Sequence, residues 1–194
     1  MARSKEKIPA TAGQRVVIEA AEPEVDGGRF PAKATPGPVR VECDAFADGH
    51  DAIAVALLYR RAGKRKWLET RMRHVVNDRW RGAFPAPEVG TYEFILEGWV
   101  DHWTTWVDGM RKWLAAAVDV ESHLAVGARL LEAAAGRAEE GVGALGSPAP
   151  EDAGTLRELA ALVGDEAMAP PDRAERVFAV DVAALMDRHA DRLN

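Results

Sequence analysis

The chain has 194 residues, 47% hydrophobic and 29% charged, which supports a core in one ordinary domain or two small ones and excludes a disordered composition. Twenty-five basic against thirty-one acidic side chains leave a net charge of −6, which argues against a nucleic-acid or membrane-surface partner. A lone Cys43 suits a reducing compartment, residues 1–10 hold no apolar signal core, and the longest apolar run, residues 52–59, is far short of a membrane span, so a cytoplasmic location is expected.

The first hundred residues read as strands. Residues 15–19 (RVVIE) form a short opening strand, and residues 23–38, punctuated by Pro and Gly, form a long loop. Val39, Val41 and Cys43 alternate with Arg40, Glu42 and Asp44, the pattern of a half-buried strand. Ile53, Val55, Leu57 and Tyr59 share a face, but the opposite face, with Ala54, Ala56 and Leu58, is also apolar, which predicts a central strand. A turn at residues 62–66 leads to a strand over 67–73, and Asn77-Asp78 turns into another over 79–84. Gly90 opens the last strand, residues 91–100, with Tyr92, Phe94 and Leu96 on one side and Glu93 and Glu97 on the other. Short strands at even spacing, with no helices between them, predict an antiparallel sandwich.

The remainder reads as helices. All six tryptophans lie between Trp67 and Trp113, and after Leu114 the one aromatic is Phe178 while alanine dominates. Trp113, Ala117, Val120, Leu124, Leu131 and Ala135 predict one helix of about 25 residues starting near Gly109. Residues 137–155 read as a loop. Leu156, Leu159, Ala160 and Val163 mark a short second helix, Pro170-Pro171 opens a third, and Asp181 is placed to cap a last one carrying Val182, Leu185, Met186 and His189. Three or four helices with short connections predict a small bundle.

Most chemical motifs fail on context. Gly141, Gly143 and Gly146 match G-x-G-x-x-G, but follow a helix, whereas a dinucleotide site needs the loop between a strand and a helix. His50, His74, His102, His123 and His189 lack paired metal-ligand spacing, so each reads as a surface or boundary residue, and neither a metal nor a cofactor is expected. Asp101 and Asp108 flank the tryptophans as paired glycosidase carboxylates can, but nothing fixes their separation; they read as a turn acid and a helix N-cap. Trp99, Trp103 and Trp106 carry the sharper question. Indoles at a strand-to-helix junction fill a core or interface, or form a platform for stacking on glucan rings, and the first use is the commoner.

Several segments together resemble a known family. Residues 25–33 (VDGGRFPAK), 44–51 (DAFADGHD), 58–60 (LYR), 77–84 (NDRWRGAF), 90–94 (GTYEF) and 98–106 (GWVDHWTTW) resemble, in order, the N-terminal region of bacterial α-1,4-glucan:maltose-1-phosphate maltosyltransferases of glycoside hydrolase family 13. The resemblance covers residues 15–119 well and the helical part loosely. It implies an α+β chain: a flexible N-terminus over residues 1–13, an immunoglobulin-like antiparallel β-sandwich over 14–108 and a helical bundle over 109–194.

Enzymes of this kind extend an α-1,4-glucan with maltosyl units from maltose 1-phosphate, retaining anomeric configuration through an aspartate nucleophile and a glutamate acid/base. Those carboxylates belong to a (β/α)₈ barrel of about 250 residues, whose rhythm this chain lacks. No catalytic residue is therefore carried over, and the chain is expected to be inactive by itself. The resemblance also implies a homodimer built partly by the sandwich and helical parts, and a polypeptide cut before a closing strand and the barrel. Two other uses stand beside this architectural one: a glucan-binding module using Trp103 and Trp106, and a pure dimerisation piece.

Overall fold

A computed structural model describes residues 15–142 and 147–192. The expected flexible stretch over residues 1–13 lies outside them, as do Gly143 and Gly146. The chain divides into two compact units, one ending at Val100 and the other running over Asp101–Arg192.

The first unit has seven strands: β1 (Val16–Glu22), β2 (Gly37–Ala47), β3 (Ile53–Arg61), β4 (Leu68–Arg71), β5 (Arg73–Val76), β6 (Arg79–Ala86) and β7 (Tyr92–Val100). They form two sheets, β1-β2-β6-β5 and β4-β3-β7, with every pairing antiparallel. A four-stranded sheet of first, second, sixth and fifth strands opposite one that pairs the third with the seventh is immunoglobulin-like connectivity.

Alternation decides what each strand buries. On β2, Val41, Cys43 and Ala45 enter the core with Val55 and Leu57 of β3, Met72, and Phe84 and Ala86 of β6. The other face of the β2–β6 pair is a ladder of charges: Arg79 meets Glu42 at 3.1 Å and Asp44 at 3.3 Å, and Arg81 meets Glu42 at 2.6 Å. These pairs hold the Glu42 carboxyl below its ordinary range, Arg81 contributing most and Arg79 next. The apolarity of both β3 faces has its expected consequence, since β3 lies between β4 and β7 with Val55, Ala56, Leu57 and Leu58 all buried.

One predicted strand is two. Residues 67–73 cross from one sheet to the other at Met72, with β4 pairing to β3 on one side and β5 pairing to β6 on the other. Met72 is buried at the crossing and its N–H donates to the Val55 carbonyl at 2.9 Å. Between β5 and β6, Asn77 takes a left-handed φ of 51°, a conformation that asparagine tolerates in tight hairpins. Gly98 on β7 answers a different need. A Cβ there would lie 2.7 Å from the Val16 methyl group, so the missing side chain lets β1 pack onto β7.

The second unit has five helices: α1 (His102–Ala115), α2 (Glu121–Glu140), α3 (Pro150–Val163), α4 (Pro170–Val177) and α5 (Val180–Arg188). Helix α1 starts ahead of the expected Gly109 because Asp101 caps it, accepting from the Thr104 N–H at 2.9 Å and the Thr104 hydroxyl at 2.7 Å. The single long helix expected from Gly109 is interrupted: Ala117 adopts φ 53°, and the Asp119 carboxylate accepts from the Glu121 N–H at 3.1 Å as α2 begins.

Further along, α3 starts at Pro150, inside the stretch expected to be loop, with Pro in its first turn and Glu151 and Asp152 favouring the helix N-terminus. Ala179, not Asp181, is the N-cap of α5; Asp181 sits in the first turn, where its carboxylate accepts from the Val182 N–H at 3.0 Å.

Leu124, Gly127, Leu131, Ala134, Ala135 and Ala138 form the buried stripe of α2, and Ala153, Leu156, Ala160 and Val163 that of α3. Alanines on both stripes allow close approach, and each fully buried Leu or Val contributes about 1.5–3 kcal/mol by leaving water.

Candidate functional site

The three tryptophans singled out by sequence are all buried: Trp99 is 1% exposed, Trp103 6% and Trp106 5%. They also fall in different units. Trp99 is the penultimate residue of β7, and the Arg71 guanidinium lies 4.3 Å from its ring centre, the two flanking Ala54 and Ala56 of β3. Trp103 and Trp106 belong to α1, where Trp103, Trp106, Val107 and Met110 make an i, i+3, i+4, i+7 stripe. Trp103 and Trp106 are three residues apart, a spacing that would split them between the faces of a strand and here sets them on one face of a helix.

Trp103 and Trp106 stack with ring centres 4.9 Å apart, and Trp106 leans on Phe178 at 6.5 Å. The Trp106 Nε1–H donates to the His123 carbonyl at 2.7 Å. A Cβ at Gly127 would overlap the Trp106 ring, so the glycine is what admits the indole. None of the three rings presents the open face that a sugar platform needs. Their geometry is that of packing.

The paired-carboxylate idea meets local partners instead. Asp101 caps α1, while Asp108 lies within α1, 3.7 Å from Arg111, rather than capping a helix. Among the described residues no group of three or more His, Cys, Asp or Glu is placed to hold a metal ion. Cys43 is buried, and desolvation pushes its thiol up to about 11, the reverse of a nucleophile's environment.

Two histidines have roles that their sequence positions did not disclose. His123 stacks on Trp113 with ring centres 3.5 Å apart. His189 is buried at the end of α5, with Nε2 2.7 Å from Asp152 Oδ2, and its carbonyl accepts from Arg137 Nε at 2.7 Å. Asp152 also receives Arg188 at 3.1 and 3.2 Å, so one carboxylate ties the first turn of α3 to the end of α5. A second tie is Arg173, buried on α4, which meets Glu121 at 2.5 Å and donates to the Val163 carbonyl at 3.3 Å.

Sequence reasoning also missed a concavity. The β1–β2 loop and β7 border an open cavity of about 760 Å³ lined in part by Phe30, Phe84, Val89, Tyr92, Phe94 and Ile95. Phe30 is 60% and Ile95 43% exposed. Two carboxylates that line it are engaged, Glu93 by Arg60 at 2.6 Å and Glu88 by Arg61. The loop over residues 23–38 was legible in its Pro and Gly, but its placing of Phe30 on the same concavity as Ile95 of β7 was not.

An immunoglobulin-like antiparallel sandwich followed by a set of helices defines an α+β class of chain. Comparison with known proteins gives the family. The model for α-1,4-glucan:maltose-1-phosphate maltosyltransferase, domain N/S, matches residues 14–194. Maltosyltransferases of that name are similar to the chain: 42% identical over 156 residues in Chlorobaculum tepidum, covering 80% of this chain and 22% of that protein. In Myxococcus xanthus the identity is 35% over 182 residues, 91% of this chain and 26% of that protein. The chain belongs to the maltosyltransferase domain N/S family, and spans about a quarter or less of the length of these relatives.

Proposed function

We propose that this chain is the architectural, non-catalytic N-terminal portion of an α-1,4-glucan:maltose-1-phosphate maltosyltransferase. The whole enzyme extends an α-1,4-glucan using maltose 1-phosphate, with the reacting carboxylates outside these residues. The observation that carries this reading is the commitment of Trp103 and Trp106 to the helical core, which leaves the aromatic cluster a packing role. Incubated with maltose 1-phosphate and glycogen, the chain should release no phosphate; turnover would overturn the reading.

The same reading includes a homodimer in the cytoplasm. No helix among the described residues is long and apolar enough to cross a membrane. Sedimentation over a range of concentrations should reveal a dimer, and a species that stays monomeric would remove that part of the proposal.

A further inference from the structure

We draw no further inference here: the strongest candidate, the apolar cavity between the β1–β2 loop and β7 on which Phe30, Val89 and Ile95 are exposed, is an unpartnered face, and nothing in the structure shows what covers it.

Discussion

Trp106 and Gly127 share one space: the indole of α1 lies where a side chain on α2 would begin. Substituting Gly127→Ala should lower the unfolding free energy by about 1–3 kcal/mol, the range for overpacking a filled core, despite the better helix propensity of alanine. A smaller ring should relieve the clash. Trp106→Phe combined with Gly127→Ala should therefore cost less than the two single losses added together, as measured by urea unfolding. Simple additivity would show that ring and glycine are not in contact.

Arg173 is a buried cation whose partner is half in water, with side-chain exposures of 2% for Arg173 and 50% for Glu121. Glu121→Ala removes its only carboxylate partner among the described ion pairs and leaves the Val163 carbonyl. A loss of about 1–3 kcal/mol is expected, below the cost of breaking a fully buried pair because Glu121 is partly solvated. Thermal melts of the variant against wild type at neutral pH measure it; an unchanged midpoint would count against the tie.

Asp152 links stability to acid. Arg188 chiefly, and His189 next, hold its carboxyl below the ordinary aspartate range. A depressed folded-state value means that the contribution is fully present above the unfolded value and is lost as pH falls through the folded one. Asp152→Asn should thus flatten the decline in melting temperature between neutral pH and about pH 2, leaving the slope due to Glu42 and Glu139, whose carboxyls are also depressed. Identical slopes for wild type and variant would refute the assignment.

Burial should protect Cys43 twice, by blocking access and by disfavouring the thiolate, whose pKa is pushed up to about 11. A thiol reagent at about pH 8 should label the native chain far more slowly than the urea-unfolded chain. Equal rates would place the thiol at the surface.

Much of the sandwich was legible because alternation reports burial locally: Val41 and Cys43 face inward, Glu42 and Asp44 outward, and β3 is apolar on both faces because it is central. The role of Trp103 and Trp106 was legible too, in their spacing to Val107 and Met110, but only if the helix is begun at Asp101. Starting the helix near Gly109 left Trp103 and Trp106 in the turn after the last strand and hid their helical stripe.

Sequence alone determined the order of strands then helices, the inward set of each main strand, and family membership through motifs spread along the first hundred residues. Tertiary structure decided where the chain departs from its local preferences. Nothing near Met72 forbids a continuous strand; the chain changes sheets there because Met72 fills a core built by Val55, Leu57 and Phe84. Nothing in Leu114-Ala115-Ala116-Ala117 stops a helix, since these are strong helix formers. The chain breaks at Ala117, and α2 then sets His123 against Trp113 and Gly127 beneath Trp106. Contacts between residues distant in sequence outweigh propensities worth less than about 1 kcal/mol per residue, and no local pattern records them.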